Sequence, residues 1–212
     1  MLNFNFYYLR FFLIIISILC FLNILYSYYF DLYLNVDSYY YTLLISLSPL
    51  IGFIFYKKKE AKVNIYTKII TVIAGFFLLP IFISLPYFFS IYNISFFDAY
   101  FEAVSGFTST GFTIFENIKH LDESLIIWRS SSQWIGGLYF LFSILLLIDV
   151  FDENLKRSLT NYISLNSSEI FKQVVKIIII YLSMTILIFV MLKLVNLRSY
   201  DAYNYSLSII SS

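Results

Sequence analysis

Residues Phe96 to Gly111 read FFDAYFEAVSGFTSTG, and the chemistry they offer is that of a backbone kept available, without a reactive side chain. Thr108, Ser109 and Thr110 are short hydroxyl residues closed by Gly111. Successive main-chain carbonyls in such a turn can replace the hydration shell of a bare monovalent cation, while the hydroxyls hold the loop without filling a lumen. Gly111 supplies dihedrals that an inward-aimed backbone needs and that other residues adopt only under strain. Asp98 opens a short helix read over about Asp98 to Ser105, where its carboxylate meets free N–H groups and the positive end of the dipole. The negative end of that helix then points toward the ion path, and the TSTG turn follows as extended chain.

Other chemistries fit this stretch and its neighbours less well. Gly106, Gly111 and Thr113 have the spacing of a phosphate-binding loop, but the lysine position is Phe112 and no strand pattern precedes it. An ordinary extracellular loop rich in Ser, Thr and Gly is the bland alternative. Glu116, His120, Asp122 and Glu123 follow in a polar stretch, which with one histidine and no zinc-type spacing reads as a solvated loop and not as a metal site. No Ser/His/Asp set, His-Glu-x-x-His motif or paired intramembrane carboxylates point to an enzyme.

The elements that must position the turn are apolar. The chain is 60% hydrophobic and 13% charged, a composition that excludes an ordinary soluble domain. Aromatics make up 22%, with many of the tyrosines at segment ends, as interfacial belts favour. A net charge of +1 and the lack of a basic patch interleaved with exposed aromatics argue against nucleic acid. Cys20 lies alone in an apolar run, so no disulfide framework exists.

Five runs are expected to cross a bilayer: Phe11 to Phe30, Tyr39 to Tyr56, Ile69 to Ile91, Leu125 to Val150 and Val174 to Val195. The first is read as an uncleaved anchor in preference to a signal peptide, because it is long and no small-x-small site follows. Lys57-Lys58-Lys59-Glu60-Ala61-Lys62 is the densest basic cluster and marks the cytoplasmic side, which also places the N-terminus inside. The hairpin then enters from the outer face, since irregular backbone at membrane depth is tolerated only where protein buries it or a water path lines it. Asp149 to Lys176 is read as a polar connection on the inner side. Arg129 and Gln133, four apart on one face of the fourth span, either snorkel toward the interface or brace the hairpin through Glu102. Gly136-Gly137 lets backbones approach closely.

The turn belongs to a repeat. A shift of 103 positions sets Asp98, Ala99, Tyr100 and Ser105 against Asp201, Ala202, Tyr203 and Ser208, and Thr108-Ser109 against Ser211-Ser212. Both copies follow a long apolar run, as in many transport folds. The expected fold is all-α, a polytopic membrane protein of span-hairpin-span repeats: residues 1–65 hold two leading helices, 66–150 the first unit, and 151–212 an incomplete second unit.

The combination FDAYFEAVSGFTSTGF with WRSSSQWIGG resembles the Trk/Ktr/HKT family of potassium and sodium transporters, most closely its TrkH branch. That resemblance implies four span-hairpin-span units around one pore, with the main-chain oxygens of Thr108, Ser109, Thr110 and Gly111 coordinating potassium, the transported species. It further implies a multi-pass protein of the cytoplasmic (inner) membrane, a homodimer partner and a cytoplasmic nucleotide-binding regulatory subunit. Glycine at Gly111 is similar to the potassium-preferring members. A family chain needs roughly twice this length, so these 212 residues are expected to be a truncated portion that does not conduct alone; the alternative is a non-conducting scaffold or assembly fragment.

Overall fold

The computed structural model describes residues 6–54, 65–151 and 167–211, and every long element among them is an α-helix. In chain order these are α1 (Phe6–Tyr29), α2 (Val36–Ile54), α3 (Ile65–Phe88), α4 (Phe96–Phe107), α5 (Glu123–Phe151), α6 (Ser167–Leu194) and α7 (Ser199–Ser211), with a 3-10 turn at Ile118–His120. The chain is all-helical among the described residues.

Four of these helices, α1, α3, α5 and α6, are long and apolar enough to cross a membrane. The span expected over Tyr39 to Tyr56 corresponds to α2, which is 19 residues long and more polar, with Asp37 in its first turn; Phe55 and Tyr56 lie outside the described residues. So do the basic stretch Lys57 to Lys62 and residues 152–166 of the expected inner connection. Both flanks of that connection are helical: α5 runs on to Phe151, and α6 begins at Ser167, well before the expected start at Val174. Ser167-Ser168-Glu169 is a helix-opening sequence, which periodicity of the apolar residues alone does not register.

α5 is the central element. It packs against α1, α3, α4, α6 and α7, and 67% of its span is buried, against 17% for α6. Around it the core comprises Phe12, Ile16, Leu79, Ile83, Phe107, Trp128, Ile135 and Tyr139, all fully buried or nearly so. The Tyr139 ring meets Phe12 edge-on at 4.9 Å and Phe76 at 5.0 Å, and it lies tilted 5.4 Å from Phe107. Such aromatic geometry adds specific contact energy to area burial. It also clamps the end of the short helix α4 between two spans.

Prolines shape α3. Pro80 and Pro86 each remove an N–H donor and loosen the ladder. Side-chain donors reach carbonyls in this stretch: Tyr100 OH bonds Phe77 O at 3.0 Å and Trp128 Nε1 bonds Ile83 O at 3.0 Å. α4 and α5 are thereby tied to α3 by hydrogen bonds that apolar surroundings leave without competition from water.

At one end of the bundle, a buried polar knot joins the loops. Asn35 Nδ2 donates to Asp122 Oδ2 at 3.4 Å, Ile91 N donates to Asn35 Oδ1 at 3.1 Å, and Asp122 N donates to the Tyr92 hydroxyl at 2.9 Å. Ser124 Oγ donates to Asp122 Oδ2, and Asn23 Nδ2 to Ser124 O at 3.1 Å. The expectation of a solvated loop therefore fails at Asp122, which is buried. Its carboxylate accepts from Asn35 and Ser124 while its backbone N–H donates to Tyr92, so one residue ties the α1–α2 loop and the segment after α3 to the start of α5.

Candidate functional site

α4 begins two residues earlier than the sequence implied. Ser95 is its N-cap, in extended conformation, with its side chain accepting from Asp98 N at 3.2 Å. The Ser95 hydroxyl in turn donates to Asp98 Oδ2 at 2.7 Å. Asp98 thus stands at the third helical position and steadies the cap while its charge faces the positive helix end. We expect Ser95→Ala to cost about 1 kcal/mol, read as a lowered melting temperature in detergent.

The end of α4 is a turn that closes on itself. Thr108 caps the helix at φ −90, ψ 4, and Ser109 follows in the left-handed region at φ 53. Thr110 N donates to Ser105 O at 3.0 Å and Ser109 N to Gly106 O at 2.9 Å, the paired bonds of a Schellman motif. The first half of TSTG is therefore a helix cap and not extended chain, because the free carbonyls of the last helical turn claim those N–H groups. Gly111 has φ 82. The chain beyond is held by Ser105 Oγ, which donates to Phe112 O at 2.6 Å.

This capping leaves the carbonyls of the turn itself uncommitted. Among the described residues, none of Thr108 O, Ser109 O, Thr110 O and Gly111 O accepts a hydrogen bond, and all four residues are exposed. The hydroxyls are held: Thr108 Oγ1 donates to Val104 O at 2.8 Å and lies 2.6 Å from Thr110 Oγ1, and Ser109 Oγ donates to Ser211 O at 3.0 Å. A run of free carbonyls beside restrained hydroxyls is chemically a ligand set for a hard, weakly charged cation.

Glu102 supports the arm from behind. It is 2% exposed on α4, and three donors from two other segments converge on its carboxylate. Arg129 Nε of α5 donates to Oε1 at 2.5 Å, Ile114 N donates to Oε2 at 3.0 Å, and Thr113 Oγ1 donates to Oε1 at 3.3 Å. Gln133 takes no part in this brace. One turn further along α5, it lines an open cavity of about 280 Å³ together with Ser109, Ser208, Ile209 and Ser211.

Close backbone approach completes the site. A β-carbon on Gly136 would overlap the Phe107 carbonyl and lie 2.8 Å from Phe107 Cα. On Gly137 it would lie 3.1 Å from Ser211 Cα. The glycine pair therefore seats the end of α4 on one side of α5 and the end of α7 on the other.

Structure extends the repeat beyond the residues that first revealed it. Under the same shift, the first residue of α4, Phe96, falls on the first residue of α7, Ser199. Upstream, Asn93 (φ 50) falls on Asn196 (φ 64), both left-handed. Asparagine tolerates that conformation better than most residues, and the matching pair was visible at that spacing. It turns the chain from the end of each span into each short helix.

Comparison with known proteins gives a consistent set of likenesses. Residues 38–210 match the family model described as TrkH, cation transport protein. The chain is 34% identical over 143 residues to the uncharacterized cation transporter MJ1485 of Methanocaldococcus jannaschii, covering 63% of this chain and 27% of that one. It is 42% identical over 57 residues to the Trk system potassium uptake protein TrkI of Halomonas elongata, covering 27% of this chain and 12% of that one. The crystal structure of the potassium transporter TrkH from Vibrio parahaemolyticus superposes with a TM-score of 0.73 at 23% identity, covering 94% of this chain and 41% of that one. That likeness speaks for the fold. In every case the chain spans less than half the length of the relative.

Proposed function

The chain belongs to the TrkH family of cation transport proteins, and from that premise we propose that it supplies the first filter arm of a potassium uptake pore. The family and the four span-forming helices make it a multi-pass membrane protein. In this reading Thr108, Ser109, Thr110 and Gly111 offer main-chain oxygens to a partly dehydrated potassium ion. The observation that carries it is the set of uncommitted carbonyls left by a turn whose N–H groups from Thr108 to Thr110 and whose hydroxyls are otherwise engaged.

Each part of the arm has a physical task. Stripping water from a monovalent ion is favourable only if several oxygens replace it at fixed distances. Glu102 and Arg129 hold the chain after the turn, Ser95 and Asp98 hold the start of α4, and Gly136 sets its depth. Gln133 faces the cavity between the two arms. One arm encircles nothing, so these 212 residues alone transport no potassium and the remaining oxygens come from further units. The pore sits in the cytoplasmic membrane with the N-terminus inside, and works as a homodimer with a nucleotide-binding regulatory subunit. Its role is transport and not catalysis.

The test is selective uptake by liposomes containing the protein with its ring complete. Gly111→Ser is expected to lower potassium preference over sodium. A β-carbon there meets nothing within 4 Å, so the effect comes from φ 82, which serine holds only at a cost of about 1 kcal/mol. Unchanged selectivity would count against the assignment of the turn.

A further inference from the structure

Building on the filter reading, we infer that Asn204 is a positioning residue of the second arm, held by Ser130 midway along a seam that joins one unit of the repeat to the next. α5 meets α7, or the turn just ahead of it, at levels seven residues apart, which is two turns of helix and so one face. Glu123 pairs with Arg198 at 3.5 Å, Ser130 Oγ donates to Asn204 Oδ1, and Gly137 admits the Ser211 backbone. The residues beside two of these levels turn to the other arm, Arg129 to Glu102 and Gly136 to Phe107. One residue is a step of about 100° around the helix, so α5 presents a separate stripe to each arm.

The levels of the seam differ in what they can fix. Arg198 is 67% exposed and Glu123 41%, so water screens that pair and it contributes little. Gly137 sets a distance of approach but no orientation. Ser130 is buried and sends its hydroxyl proton across to α7, whereas Ser132 donates back to Arg129 O in its own helix, the usual resort of a helical serine. Under the 103-residue shift Asn204 falls on the exposed Phe101, and the exposed Tyr205 falls on the braced Glu102. The second arm thus lacks the carboxylate brace of the first and is held one residue earlier, by an amide that reaches the preceding unit. That bond fixes the rotation of α7 about its own axis, and with it the direction in which the end of α7 faces the first arm.

Ser130→Ala and Asn204→Leu each remove one side of the bond, while Ser130→Thr keeps the donor. In the complete protein, the ratio of rubidium to sodium uptake in liposomes should fall about fivefold in each of the first two, the factor that corresponds to one net hydrogen bond, and should hold in Ser130→Thr. Thermal unfolding in detergent supplies a readout that is independent of transport. Ser130→Ala combined with Asn204→Leu should melt no lower than either single variant, because removing both partners strands no polar group. Melting losses that add would overturn the bond, and an uptake ratio unchanged in both single variants would overturn the positioning role. Wild-type protein that takes up no rubidium would instead sink the filter reading, and the melting comparison would still decide whether α5 holds α7 at Asn204.

Discussion

Glu102→Ala should lower the stability of the protein by about 3–5 kcal/mol, the cost of stranding one partner of a buried ion pair. Arg129 is 16% exposed and Glu102 2%, so neither charge has water to fall back on when the other is lost. Ile114 N and Thr113 Oγ1 would lose their acceptor in the same substitution. The measurement is thermal unfolding in detergent, with Glu102→Gln as the companion. Glutamine keeps an acceptor for Ile114 N but not the charge, so it should fall between alanine and wild type. Because Ile114 directs the chain leaving the turn, uptake should fall in both variants. An alanine variant that melts with the wild type would remove Glu102 from the account of how the arm is held.

Gly136→Ala should be nearly as damaging, for a different reason. The added methyl would meet the carbonyl, and then Cα, of Phe107, which are backbone atoms at the end of a capped helix. No rotamer relieves that overlap. About 3 kcal/mol is expected, the upper end of what overpacking costs when neighbours cannot yield. Gly111→Ala is the comparison, since a β-carbon there meets nothing within 4 Å and its cost, about 1 kcal/mol, comes from φ 82 alone. The two alanine substitutions should therefore separate, with the first lowering the yield of folded protein and melting temperature and the second chiefly altering ion preference. Equal melting of the two variants would mean that α4 is free to move off α5.

Much of this architecture is legible in the residues because membrane solvent simplifies the problem. Long apolar runs become helices when no water is present to satisfy the backbone, which is why α1, α3, α5 and α6 lie close to their expected positions. The start of α4 was harder to read. Both Ser95 and Asp98 are good capping residues, and the choice between them depends on which one the loop from Tyr92 presents in extended form. Arg129 and Gln133 share a helix face in sequence, yet they lie a turn apart in depth, so one reaches Glu102 and the other reaches the level of Ser109. The contact of Glu102 with Ile114 N, and the crossing from Ser109 to Ser211, belong to tertiary structure and leave no local pattern. Serine in a left-handed cap also runs against propensity, since glycine is what that position ordinarily selects.

The two copies of the repeat start in register and then diverge. Where the first copy has Ser95 donating to Asp98, the second has Arg198 Nε donating to Asp201 Oδ2 at 3.1 Å; where the first buries Glu102, the second carries the exposed Tyr205. In the pore proposed above, quadrants of an ion path written in tandem on one polypeptide are not forced into identity as they would be in a ring of separate identical subunits. Each can carry its own fastening, so damage to one corner need not be echoed at the others, and a scan of matched substitutions would return an uneven map of the pore.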